Sequence, residues 1–568
     1  MKLKASTGRK LRYGGTSIAL TALIITAVII VNALTTLIVQ KFGLYVDLTP
    51  DLHFTISDEC YDLIGAEVAD DGNDTPIEMV KKFRENNKAY NAANGLKPGD
   101  EGYKDENVTI NIIFLSEKDI LQADSTTNYV VVNAEELRAK YPEYIKTEYI
   151  DSVTHPSKFK KYLYSNTDTI ESDSVIIECG TEFRIRTLRS FYVFANDETP
   201  TAYNGEKAFA SSILAVTRAE APLACYTTNH GEEFPQSAIV DTPAPFISSL
   251  EDAGYEVRPL DLSKEEIPAE CRILIVFDPK NDFITDKDGA SDSCEITKLE
   301  KFLNERNSLM VFMEPDSYTG RLTNLEDFLE EWGLIIKRNG DDPYMVSDPA
   351  NSIMGNHANV VADYSKSDIA TSWMANMLNR ATPPKVVIPN AAVIDYANSY
   401  DRKLVTSEKD ETVQYYLAYS STYNRTVYDL FYTYEGAKAN AGGQELAQSS
   451  KTNPLSLMSV SVQSFSEQEA NGLITDSAYV LLCGSTDFAS EKYLSSNTYG
   501  NADFMLSALQ MAGREPVPVG LQYKEFANYT IESITSSAAT TYTVIFTVAP
   551  IVLALIAGVF VIVRRKNR

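Results

Sequence analysis

The sequence predicts an α/β protein in which two transmembrane helices flank one large extracytoplasmic region. Three observations lead there. A charge-free apolar run lies near each end, basic residues flank both runs, and the middle alternates short apolar strands with capped amphipathic helices.

Residues 1–12 are a basic tail, with Lys2, Lys4, Arg9, Lys10 and Arg12 and no acid. Residues 13–40 read as the first transmembrane helix, long enough at 1.5 Å per residue to cross a hydrocarbon core of about 30 Å. The run exceeds the roughly 7–15 apolar residues of a signal peptide, and no small-x-small cleavage site follows, so a retained anchor is expected. Residues 541–563 read as the second span, in which Pro550 is tolerable, and 564–568 as a second basic tail. Basic flanks stay inside, so both termini are expected in the cytoplasm and the rest outside, in a two-span protein of the cell membrane.

The net charge is −27 although both tails are basic, so the region between the spans is more acidic still. Such a surface repels nucleic acid and anionic lipid, and it argues against either as a partner of that region. All six cysteines lie between the spans, and an even number there permits disulfides. Cys225, Cys271 and Cys483 sit in or beside apolar runs, where a free thiol acts as a small core hydrophobe, so mostly free thiols are expected.

Residues 41–220 read as a membrane-proximal mixed α/β domain. Ser57 is the expected N-cap of a helix over 58–64, and Pro76 opens a helix ending before Gly95. Strands are expected at 108–115, 129–132 and 149–151, with a helix over 134–140. A β pair is expected over 174–178 and 183–194, turning at Gly180, and then a helix over 208–218.

Residues 221–520 alternate more cleanly. Strands are expected at 223–227, 255–260, 272–277 and 309–313, with helices at 245–253 and 295–306 between them. Asp292 and Glu295 have the spacing of a cap pair. Thr323-x-x-Glu326 reads as a capping box for a helix with Leu325, Phe328, Leu329 and Trp332 on one face, ended by Gly333. This alternation predicts a parallel sheet covered on both faces. A β-rich insertion is expected near 339–469, with 436–453 as a polar loop. A strand at 479–483 and a helix over 501–512, closed by Gly513, complete the domain, and 521–540 read as a juxtamembrane linker.

Chemistry-bearing motifs are scarce. There is no phosphate-cradling G-x-x-x-x-G-K-[ST], no H-E-x-x-H and no G-x-S-x-G elbow, and the chain has only four histidines. One cluster stands out: Asn229, His230, Gly231, Glu232 and Glu233, directly after the strand at 223–227. Sites in open parallel sheets form beyond the carboxyl ends of strands, so these five are the candidate binding residues. A histidine beside carboxylates serves acid–base chemistry or cation binding; it serves equally as a hydrogen-bonded brace between loops.

The motifs together resemble those of GldG-like proteins, auxiliary components of ABC transporters named for gliding motility. Tyr45-x-Asp47-Leu48-Thr49, followed by Thr55-x-Ser57, is similar to their membrane-proximal signature. Asn229-His-Gly-Glu232 matches their Gly-His-Gly-Glu motif except at the first position. Asp278-Pro279-Lys280, Met313-Glu-Pro315, the Gly484–Ala489 stretch with Asp487 and Phe488, and Gly500–Phe504 with Asn501, Asp503 and Phe504 are similar too. The resemblance implies an outer domain like class I glutamine amidotransferases but without their catalytic cysteine. It implies a non-enzymatic subunit beside a permease and a separate ATPase, touching cargo or the cell envelope, and with so few histidines neither cofactor nor metal is expected. Two other readings stay open: an envelope hydrolase using His230 and Glu232, and a stand-alone solute- or glycan-binding protein.

Overall fold

The computed structural model describes residues 55–65, 74–123, 125–163, 170–194, 200–218, 222–235, 244–285, 294–317, 320–380, 382–408, 410–469, 472–494 and 498–526, with a few positions near each end (23, 25–32, 34, 556, 559, 563 and 564). Met1–Lys524 form one compact unit and Glu525–Arg568 a second. The two expected spans fall almost wholly outside the described residues, as do Asp47, Leu48, Thr49 and Asp292. Among the described residues, no helix is long and apolar enough to cross a membrane. Residues 25–32 are helical, and the apolar side chains of Ile25, Val28, Ile29, Ile30 and Val31 are exposed.

The first helices begin and end where their caps place them. Ser57 Oγ accepts the Cys60 N–H at the start of α1 (Asp58–Gly65). The Thr75 side chain caps α2 (Pro76–Asn94), which stops at Gly95 with φ 66°, a conformation glycine adopts without penalty. A four-stranded sheet follows, from β1 (Ile110–Phe114), β2 (Ile145–Tyr149), β3 (Ser174–Cys179) and β4 (Glu182–Thr187), in the order β2-β1-β3-β4.

The strand expected at 129–132 is instead part of one helix, α3 (Ser125–Lys140). Val130, Val131, Ala134 and Leu137 are all buried at helical spacing, and burying that stripe outweighs the β preference of three consecutive valines. The second arm of the β pair stops at Thr187 rather than Phe194, because Leu188–Phe191 form a tight 3-10 turn that buries both end residues. The helix α4 (Gly205–Thr217) is buried along its whole length.

The second block is a doubly wound sheet. Strand β5 (Leu223–Thr227) leads through α5 (Pro245–Asp252) to β6 (Glu256–Leu260). Then come β7 (Cys271–Phe277), α6 (Glu295–Asn304), β8 (Ser308–Phe312) and α7 (Thr323–Glu331). Strand β6 lies on one side of β5 and β7 on the other, both parallel to it, and β8 continues parallel beyond β7. A hydrophobic core lies on each face. Strand β7 shows why: its Ile273, Ile275 and Phe277 enter one core while Leu274 and Val276 enter the other.

Two helix starts differ from expectation. Cys294 caps α6, its Sγ accepting the Thr297 N–H, while Glu295 turns away to another task. At α7 the Thr323 hydroxyl is not the cap. Asp282, forty residues upstream, accepts the Asn324 and Leu325 N–H groups at 2.8 and 3.1 Å, and Glu326 reaches back to Leu322 N–H.

The region near 339–469 extends the main sheet. It contributes β9 (Asn356–Tyr364), α8 (Asp368–Trp373), β10 (Val386–Pro389), β11 (Asp401–Thr406), β12 (Gln414–Ser420) and β13 (Arg425–Tyr432). The expected polar loop at 436–453 is instead a hairpin, β14 (Lys438–Ala441) and β15 (Gln444–Gln448), turning through two positive-φ glycines, Gly442 and Gly443. Its Ala437, Ala439 and Ala441 are buried, a spacing of two hidden among polar neighbours. The long strands β16 (Ser456–Glu469) and β17 (Gly472–Cys483) then join both halves: β16 pairs antiparallel with β13, and β17 pairs parallel with β8.

The last helix, α9 (Asn501–Gly513), includes Gly513 rather than ending before it, and Arg514 takes the left-handed φ of 57°. Gly513 is needed for close approach, since a Cβ there would sit 1.6 Å from Tyr255 Oη.

Candidate functional site at the sheet's carboxyl edge

The chain leaves β5 toward one neighbour and returns on the other side, so the sheet order reverses between β5 and β7. A crevice at such a reversal is where doubly wound sheets hold ligands. Here the loops after those strands meet. The His230 carbonyl accepts N–H groups from Lys280 and Asn281 at 2.8 and 2.9 Å, and the Asn281 amide at 3.2 Å. Gly231, at φ 77°, turns the chain beneath them, where a Cβ would press on Asn281 Nδ2 at 3.2 Å.

The imidazole sits between two carboxylates. Nδ1 lies 3.0 Å from Glu232 Oε1, and Nε2 lies 2.9 Å from Glu295 Oε2. The three side chains are only 1–3% exposed. The remaining acceptor capacity is taken: Glu232 Oε2 by the His230 N–H, Glu295 Oε1 by the Asn229 amide at 2.6 Å, and Glu295 Oε2 by the Ile284 N–H. The Phe283 ring stacks on the imidazole at 3.7 Å.

Burial alone disfavours a charged ring, but the bonds to Glu232 and Glu295 outweigh it and lift the His230 pKa to about 9. Burial likewise pushes both carboxyls up, and the bond from His230 together with its charge and the other hydrogen bonds more than compensates, leaving each below its usual range. The group is therefore a carboxylate–imidazolium–carboxylate brace at neutral pH. Acid–base catalysis needs a ring nitrogen facing a substrate, and both are engaged. Among the described residues no group of side chains has the make-up to hold a metal ion.

Among the described residues, none of the other singled-out residues joins this brace. Asp278, just past β7, adopts φ 53° and accepts from Lys280 Nζ at 2.6 Å, which also bonds Ser317 Oγ at 2.6 Å. Burial raises the Asp278 carboxyl despite Lys280, and it raises Glu314 past β8 despite the Thr486 hydroxyl 3.0 Å away. Glu233 is exposed, and Pro279 is buried between Asp278 and Lys280. Asp487 accepts the Asn390 amide at 2.7 Å. Asn501 is fully buried and bonds both the N–H and C=O of Val387 and the C=O of Phe488, so it braces β10. Asp503 pairs with Arg380 at 2.9 Å. Phe488 and Phe504 pack in the core, their centroids 6.1 Å apart.

Ser57 does more than cap α1. Its hydroxyl donates to the buried Glu206, whose carboxylate also pairs with Lys524, and Lys524 in turn reaches the Thr55 carbonyl. Glu295, Asn281, Phe283, Glu206 and Lys524 were not among the expected site residues. Their partners lie tens to hundreds of residues away, which no local pattern records.

The model of a protein family described as an ABC-type uncharacterized transport system, the transporter auxiliary family, matches residues 222–508. The chain belongs to this family. The match begins just before β5 and ends within α9, so it takes in the doubly wound sheet and its extension. As an ABC transporter auxiliary protein, the chain is associated with transporter components. No curated protein matches the sequence. Among solved structures, one titled "mmIFT52 N-terminal domain" is 13% identical, covering 51% of this chain and 96% of that one at a TM-score of 0.31, from which nothing follows about fold. All six cysteines of this auxiliary protein are buried and free.

Proposed function

We propose that this auxiliary protein is a non-enzymatic, membrane-anchored subunit of the GldG-like kind. Its amidotransferase-like outer domain sits beside an ABC permease and a separate ATPase, where it contacts the permease, its cargo or the cell envelope. The family match over 222–508 carries this reading. The filled crevice supports the non-enzymatic part, because the place where a doubly wound sheet would hold a substrate is occupied by the chain's own brace.

The anchoring part rests on the two uncharged runs and their basic flanks. It is supported by the junction of Thr55 with Lys524, because about fifteen residues separate that junction from each expected span.

Co-purification tests the reading. Full-length protein, tagged and extracted from its native membranes in mild detergent, is expected to bring down an ABC permease and its ATPase in stoichiometric yield. Recovery of the chain alone, from membranes in which both are present, would contradict it.

A further inference from the structure

A second concavity lies away from the carboxyl edge, between β9, the start of α8, the 383–385 segment and the loop joining β11 to β12. It encloses about 590 Å³, within the range of small-molecule pockets. Val361, Leu378, Pro384 and Val413 give it an apolar lining. Its polar groups are sorted by depth. Half-buried in the wall are the Asp363 and Asp368 carboxylates and the Tyr364 and Tyr434 rings, while Lys366 and Lys385 stand exposed at the rim. Asp368 is committed to the protein, accepting Ser407 Oγ at 2.5 Å and the Glu408 N–H at 3.0 Å. Asp363 accepts the adjacent Tyr364 N–H at 2.9 Å and has the Tyr434 hydroxyl beside it, while no ion pair within 4 Å reaches its carboxylate among the described residues.

That sorting sets the chemistry of an occupant. Acid and aromatic faces at depth recognise an ammonium group. Lysines at the mouth recognise a carboxylate, and the apolar walls between them take a hydrocarbon side chain. We infer that this concavity is a binding site for short apolar peptides, entered amine first, with Asp363 receiving the α-ammonium group and Lys366 and Lys385 the carboxylate. Burial raises the Asp363 carboxyl despite its bond from the Tyr364 N–H, the nearby Lys366 charge and the Tyr434 hydroxyl. The inference stands on the cavity alone and holds whichever transporter the chain serves.

Isothermal titration calorimetry on the full-length protein tests it, with the dipeptide Phe-Leu as probe and N-acetyl-Phe-Leu as its amine-blocked control. Phe-Leu is expected to bind, with at least about tenfold loss on acetylation and a similar loss in Asp363→Asn. Val413→Trp, which fills the cavity from a loop, is expected to abolish binding while thermal unfolding stays unchanged, and it decides the matter if Asp363→Asn does not fold. Absence of binding at millimolar Phe-Leu, equal affinity for the acetylated peptide, or unchanged affinity in folded Val413→Trp would each overturn the assignment.

Discussion

His230 keeps its proton at neutral pH because two buried carboxylates hold it, and that has a consequence for stability. Its pKa in the folded chain is about 9, against an ordinary 6.5. A raised pKa contributes fully below about 6.5 and is lost as pH climbs through about 9. The depressed pKa values of Glu232 and Glu295 act the other way, contributing above their ordinary 4.5 and fading as pH falls below it. Chemical denaturation from pH 6 to 9 should therefore show stability falling by about 2–3 kcal/mol. In His230→Gln that decline should vanish, while a decline that persists there would place its origin elsewhere. At pH 7, His230→Ala leaves two carboxylates facing each other out of water and should lose about 3–5 kcal/mol.

At the scale of elements, the capping of α7 separates two accounts of one helix. The local account gives the cap to Thr323, and the structure gives it to Asp282. Asp282→Ala should lower stability by about 1–2 kcal/mol, and Thr323→Ala by a few tenths at most. Thermal melts of the two variants compare them directly, and equal losses would favour the local account. The same contrast explains what could be read in advance. Strands β5, β7 and β8 and their helices were legible because each is a short apolar run bounded by turn or cap residues. Segment 129–132 was not, because three valines in a row speak for a strand while their burial depends on neighbours far off in sequence. The hairpin at 436–453 was hidden because its buried face is alanine, too weakly apolar to mark a strand. At the site, the loop after β5 was legible, with His230 beside Glu232. Its second carboxylate was not, because Glu295 lies 65 residues downstream at a helix start that looked like a cap.

At the scale of the whole molecule, the account places one folded unit outside the cell, tied at Thr55 and Lys524 and anchored by a span on either side. The native cysteines are all buried, so they are poor reporters of sidedness. Val153 is a better position, being 79% exposed on a loop of the first block. Val153→Cys, expressed in the native cells, should react with a membrane-impermeant maleimide before lysis, while a cysteine added after Arg568 should react only afterwards. Labelling of Val153→Cys only after the membrane is opened would put the folded unit in the cytoplasm and contradict the account.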